Sequence, residues 1–151
     1  MERPLPAVMP ESIAIASDHA GFELKQMLSA ELGRLGYATL DLGTHDKNSV
    51  DYPDFADALA RALADARASR GVLICGTGIG IGMAANRHRH IRAAVCHDST
   101  SARLARQHND ANVLALGARL IGAEVARDCL TIFLHTAYEG GRHDRRIAKL
   151  S

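Results

Sequence analysis

Apolar and polar residues come in blocks along this chain, and the spacing of the apolar ones changes from block to block. "SIAIAS" (12–17) is a short apolar run that predicts a strand. It leads into "DHAGFELKQMLSAELGRLG", where Phe22, Leu24, Leu28, Leu32 and Leu35 recur at helical spacing. Gly36 supplies the stop. "ATLDLG" (38–43) predicts a second strand; after a polar loop, "DYPDFADALARALADA" resumes helical spacing at Phe55, Leu59 and Leu63, with Pro53 at the helix start. "GVLICGTGIGIGMAANRH" (71–88) gives a third strand that ends on Cys75 and a glycine-rich turn into a third helix. "RAAVC" (92–96), the helix "DSTSARLARQH", a fifth strand "NVLALG" ending at Gly117 and a long helix over 120–136 continue the alternation. The tail "YEGGRHDRRIAKLS" reads as a turn and a short basic amphipathic piece.

Strands that are continuous apolar runs, each followed by a helix, imply a parallel sheet covered on both faces. The expected fold is a doubly wound, Rossmann-like α/β domain: a three-layer α/β/α sandwich on a five-stranded parallel sheet. A chain of 151 residues commonly folds as one domain and buries roughly 70% of its unfolded surface. That domain is expected over 12–151. Residues 1–11, with prolines at 4, 6 and 10 and no apolar stretch of signal or anchor length, read as a flexible lead-in. The 120–136 helix is apolar almost all the way round, so it calls for cover on more than one side, and an oligomer interface is one such cover.

Composition narrows the function classes. A net charge of +1 gives no dense positive field, so neither nucleic acid nor an anionic membrane is expected as a partner. Three cysteines, Cys75, Cys96 and Cys129, have no paired spacing and suggest a reduced cytoplasmic protein rather than a disulfide scaffold.

Parallel α/β sheets bind ligands at the carboxyl ends of their strands. Polar, reactive residues stand at those places: Asp18 and His19 after the first strand, Gly43 to Asp46 after the second, Cys75 to Gly80 after the third, His97 and Asp98 after the fourth, Arg119 after the fifth. The glycine loop is no dinucleotide fingerprint, because Gly80, Gly82 and Ala85 match G-x-G-x-x-A too far past the strand end. It is no Walker A loop either, since no Lys-Ser or Lys-Thr follows. What remains is a nest of N–H groups for a phosphate or a developing oxyanion.

A lone cysteine ending a strand is more often packing than chemistry. Cys75, however, faces a glycine turn and a helix N-terminus, a setting that favours thiolate, which serves as nucleophile or general base. Cys96 and Cys129 belong to the core. His88-Arg89-His90 lies among arginines with no third ligand, so no metal set is completed. His108 ends a helix beside Asn109 and Asp110 and on its own reads as a surface histidine. Arg142 and Arg146 are one turn apart; an exposed basic helix end is the plain reading, and a clamp for a phosphate monoester is the functional one.

With "SDHAGFELK", "DLGT", "DYPDFA", "GVLICGTGIGIGMAANR", "IRAAVC", "ARQHNDANVLALGARLIG" and "YEGGRHDRR" in this order, the chain resembles the B-type ribose-5-phosphate isomerases, in a family shared with galactose-6-phosphate isomerases, from about Ile13 to Ile147. The resemblance implies a cofactor-free, metal-free aldose–ketose isomerisation through an enediolate. It makes Cys75 the base between sugar carbons C2 and C1, with Thr77 and the N–H groups of Gly76, Gly78 and Gly80 at the oxygens whose charge grows. His108 would assist ring opening, and Asp18 would bind sugar hydroxyls or share that task. His19, Arg119, Arg142 and Arg146 resemble the phosphate-binding set, while Tyr52 and Asn109 line the site. The family places His108, Asn109 and Arg119 on the facing subunit, so the expected assembly is a homodimer or a dimer of dimers. Members with a glutamate base carry it where this chain has Ile81, so the cysteine version applies; Gly82 replaces a hydroxyl residue common in the family. Both the "CGTG" and "RQHND" halves are present, which favours ribose 5-phosphate over galactose 6-phosphate, whose enzymes divide these halves between two different chains. Rival expectations are the same reaction on allose 6-phosphate or a tetrose phosphate, a cysteine hydrolase using Cys75 and His108, and a non-catalytic sugar-phosphate-binding domain.

Overall fold

The computed structural model describes residues 9–151; residues 1–8, which hold most of the expected lead-in, lie outside the described residues. Strands and helices alternate as β1 (Ser12–Ser17), α1 (Phe22–Arg34), β2 (Ala38–Asp41), α2 (Tyr52–Ala64), β3 (Arg70–Cys75), α3 (Ile79–Ala85), β4 (Ala93–Val95), α4 (Ser99–Asn109), β5 (Val113–Gly117) and α5 (Ala123–His135). A 3-10 turn, Gly141–His143, then leads into α6 (Asp144–Ala148). All strand pairs are parallel, in the order β2-β1-β3-β5-β4. The expected five-stranded, doubly wound sandwich is what forms. Among the described residues, no helix is long and apolar enough to cross a membrane.

The central strands β1, β3 and β5 are apolar at nearly every position because both of their faces are covered. On one face Ile13, Ile15, Val72, Ile74, Leu114 and Leu116 pack with Leu28 and Leu32 of α1, Ala102 of α4, and Leu130 and Phe133 of α5. On the other, Ala14, Ala16, Leu73 and Val113 meet Ala56, Leu59 and Ala60 of α2 and Ile81 and Ala85 of α3. Small residues on this second face let α2 lie close: a Cβ on Gly71 would stand 2.7 Å from a Leu59 methyl. Burying Leu59 in that position is worth about 1.5–3 kcal/mol.

Two boundaries differ from expectation. Helix α5 starts at Ala123, not at 120, because Leu120 and Ile121 form a turn whose N–H groups return to the Gly117 carbonyl at 3.0 and 3.2 Å. That turn leaves Leu120 exposed. The ordered frame also begins before residue 12. The Glu11 carbonyl accepts from Ala38 N–H at 3.0 Å and its carboxylate meets the Arg70 guanidinium at 2.8 Å. Hydrogen bonding from Arg70 holds the Glu11 carboxyl below the usual carboxylate range.

The chain runs outward from β1 to β2 and then crosses back to β3, so the strand order reverses between β1 and β3. At such a switch point two adjacent helices leave in opposite directions and open a crevice at the carboxyl ends of the strands.

Candidate active site

The crevice is present there, with a volume of about 460 Å³. Strands β1 and β3 run in register to Ser17 and Ile74, and the Asp18 N–H donates to the Ile74 carbonyl at 3.2 Å. This brings the residues that follow β1 next to those that follow β3. Asp18, His19, Tyr52, Cys75, Gly76, Thr77, Gly80 and Arg119 all line the one cleft, together with Ala20 and Ile79.

Cys75 is only 4% exposed, and its Sγ accepts a hydrogen bond from the Gly78 N–H at 3.2 Å. Two constraints require glycine at 78. Its φ is +77°, and a Cβ there would lie 2.8 Å from the backbone of Leu116. The left-handed turn swings the amide back onto the sulfur. Helix α3 starts one residue later, and the Ile79 N–H donates to Thr77 Oγ1 at 3.2 Å. The Thr77 hydroxyl hydrogen is left for a ligand. Gly80 lies under Tyr52: a Cβ would stand 2.6 Å from the ring. The opposite wall is built similarly, with Gly117 against the Thr77 backbone, where a Cβ would come to 2.5 Å.

Asp18 is buried, and its Oδ1 accepts from the Gly21 N–H at 3.1 Å. His19 accepts from the Val50 N–H through Nδ1 at 3.1 Å. A neutral imidazole so held carries its proton on Nε2, which is then a donor. The floor beneath these two rests on Lys25, which is fully buried and whose Nζ donates to both Asp41 carboxylate oxygens at 2.8 and 2.7 Å. Asp41 in turn accepts from the Gly43 N–H at 2.9 Å, and residues 43 and 44 pair with the backbone of Ser17.

Arg119 requires a correction. The resemblance assigns it to the facing subunit, yet it lines the cleft of its own chain, because the turn after β5 ties Arg119 N–H to the Gly76 carbonyl at 2.9 Å. A Cβ on Gly76 would lie 3.3 Å from its guanidinium, so glycine at 76 is what makes room for the cation.

His108, Asn109, Arg142 and Arg146 are not in this cleft. Helix α4 runs back against the strands, so its last residues stand at the amino end of the sheet, four residues before β5 begins. Five residues of β5 separate that end from Gly117, which pairs with Cys75; at about 3.3 Å per residue this is roughly 13 Å of strand. The tail joins the same end. Glu139 N–H donates to the Gln107 carbonyl at 3.1 Å, and the His143 ring stacks on His108 with centroids 4.5 Å apart. Arg142 and Arg146, both exposed, project from this segment. Asn109 borders a second cleft of about 480 Å³, with Asn86, Arg92 and Leu150, that contains no cysteine.

Sequence reasoning passed over Lys25, Glu139 and His143. Lys25 sits in a helix at a position whose neighbours suggest solvent; its signal is the acid Asp41 closing the second strand. His143 lies among arginines, and only its spacing from His108 in three dimensions marks it.

Comparison with known proteins identifies the family. Residues 13–150 match the model of the ribose/galactose isomerase family. The chain belongs to that family. Among its members, the ribose-5-phosphate isomerase B of Escherichia coli is 45% identical over 141 residues, covering 93% of this chain and 95% of that protein. The D-erythrulose-4-phosphate isomerase of Pectobacterium atrosepticum is 42% identical and covers 92% of each. A solved ribose 5-phosphate isomerase from Thermotoga maritima superposes with a TM-score of 0.91 at 51% identity, covering 93% of this chain and 97% of that one. The ribose/galactose isomerases are sugar-phosphate isomerases of the aldose–ketose type, which is the enzyme class of this chain.

Proposed function

We propose that the protein interconverts D-ribose 5-phosphate and D-ribulose 5-phosphate, with Cys75 as the base. The observation that carries the reading is the Cys75 thiol, held by the Gly78 N–H in a cleft that it shares with Asp18, His19 and Arg119. Thiolate Sγ takes the proton from C2 of the open-chain aldose; the C2–H electron pair forms the C1=C2 bond, and the charge moves to O1. The thiol then returns the proton to C1, while the hydroxyl proton of O2 passes to O1, leaving the ketose. The Gly78 and Ile79 N–H groups are taken by Cys75 and Thr77, so the Thr77 hydroxyl and the Gly80 N–H are the donors left for the oxygens on which charge develops, where preorganised donors have most effect. Arg119 and the Nε2–H of His19 suit a phosphate dianion.

The other half of the site comes from a second copy of the chain. His108 and Asn109, with Arg142 and Arg146 as the further phosphate ligands, stand at the opposite end of the sheet. A two-fold dimer that sets the amino end of one sheet against the carboxyl end of the other completes two identical sites. Exposed Ile79, Met83 and Val95, on α3 and the edge strand β4, supply apolar surface beside the cleft for that contact. Membership of an isomerase family weighs against a cysteine hydrolase. Three free thiols suit work in the reducing cytoplasm.

A second reading, a tetrose 4-phosphate as substrate, is favoured by the 42% identity to the erythrulose-phosphate enzyme. The decisive experiment incubates the protein with D-ribose 5-phosphate in deuterated water and follows ribulose 5-phosphate and C2 deuteration by NMR. Turnover with C2 exchange is expected, and both are lost in Cys75→Ala. Faster turnover of a tetrose 4-phosphate at matched concentration would move the assignment to the second reading.

A further inference from the structure

The cluster at the amino end of the sheet contains a polar group with no partner among the described residues. His143 is 7% exposed, and its Nε2 is buried without a hydrogen bond. The nearest acid, Glu139, holds Oε2 at 3.7 Å, beyond hydrogen-bonding reach. His108 stacks on the same ring with an interplanar angle of 18°. One donor atom from each of His108, Glu139 and His143 lies within 4.8 Å of the other two. A buried imidazole nitrogen left unpaired beside a second imidazole and a carboxylate is an arrangement that a cation would satisfy.

Two imidazoles and one carboxylate are a donor set for zinc and its neighbours, and three protein ligands leave a fourth position open. Bonds of about 2.0–2.1 Å in a tetrahedral site put the donors about 3.3 Å apart, so the three must close by no more than about 1.5 Å, and the His108 ring must turn out of its stack on His143, because an imidazole nitrogen binds a metal in the plane of its ring. Glu139 is exposed and half-buried His108 ends a helix, so both have the freedom to do so. Nearby cations do not forbid it. The Arg106 guanidinium is taken up by Asp110 and by the carbonyls of Ala111 and Thr136, and Arg142 points to solvent.

We propose that His108, Glu139 and His143 bind one divalent cation of the zinc class per chain, and that the bound ion withdraws His108 from the isomerase reaction. The second clause rests on the ring-opening role given to His108 above; the binding does not. The ion is a reversible brake that takes no part in proton transfer at carbon.

Cobalt(II) is the probe, because leaving octahedral water for a site of low coordination number gives it strong visible absorption. Titration of the full-length protein is expected to develop that absorption at one equivalent per chain, with zinc displacing it. Glu139→Gln, on an exposed side chain, and His143→Ala are each expected to weaken binding at least about tenfold, while Cys75→Ala leaves it unchanged. In the activity arm, zinc slows ribose 5-phosphate turnover by the wild type, a chelator restores it, and Glu139→Gln is resistant. A faint octahedral spectrum, affinity unchanged in both cluster variants, or binding lost only in Cys75→Ala overturns the site. If no sugar phosphate turns over, the absorption titration still decides the site on its own.

Discussion

Cys75, Cys96 and Cys129 are all buried, yet the groups offered to each sulfur differ. Burial raises the Cys96 thiol above its ordinary range and pushes Cys129 up to about 11. Both are therefore poor sources of thiolate near neutrality. Cys75 alone borders the cleft and receives a backbone N–H. Iodoacetamide at about pH 8 is thus expected to modify Cys75 before the other two, and ribose 5-phosphate is expected to slow it; peptide mass spectrometry over a time course reads both. Earlier labelling of Cys96 would remove the basis for Cys75 as the reactive thiol. At this scale the sequence made the glycine turn and its thiol legible, since strand end and turn are local features. The partner of each glycine was not legible: Tyr52 over Gly80 and Arg119 against Gly76 are long-range contacts that leave no local pattern.

Element boundaries were legible where an apolar run meets a glycine or a cap. Asp98 ahead of α4 accepts from the Ser101 N–H at 2.6 Å, as a helix-starting acid should. They failed where tertiary bonds override periodicity, as in the turn that delays α5 to Ala123. The junction of α1 and β2 is a harder case, because a lysine at position 25 carries no sign of full burial. Among the described residues Lys25 is hydrogen-bonded only to Asp41 and Gln26, and Asp41 also fixes the loop beneath Asp18 and His19. Removing one member of a buried ion pair leaves the other uncompensated at about 3–5 kcal/mol. Asp41→Ala is expected near the lower end of that range, because the Asp41 carboxylate is 32% exposed. Urea unfolding measures the loss. The double variant Lys25→Met, Asp41→Ala should regain much of it. A double variant no more stable than Asp41→Ala would mean that the loop contacts of Asp41, not the charge left on Lys25, carry the cost.

For the whole molecule, the decisive fact is that helices of an α/β sandwich run opposite to its strands. Residues ending a strand and residues ending a helix must then fall at opposite ends of one sheet. The sequence placed both sets within one family pattern and left the distance between them unstated, which is why Arg119 and His108 were grouped together although only Arg119 shares the Cys75 cleft. If the catalytic unit is a two-fold dimer, Cys75→Ala and His108→Ala destroy different halves of each site. A heterodimer of the two variants carries one doubly damaged site and one intact site. Random assortment makes half of the dimers mixed, so a denatured and co-refolded equimolar mixture should recover about one quarter of wild-type activity, although each variant alone is close to inactive. The wild type treated identically sets the scale, and sedimentation confirms that dimers have re-formed. Recovery shows that Cys75 and His108 of one site come from different chains. Re-formed dimers without recovery would return both residues to a single chain and require the tail and the end of α4 to move across the sheet.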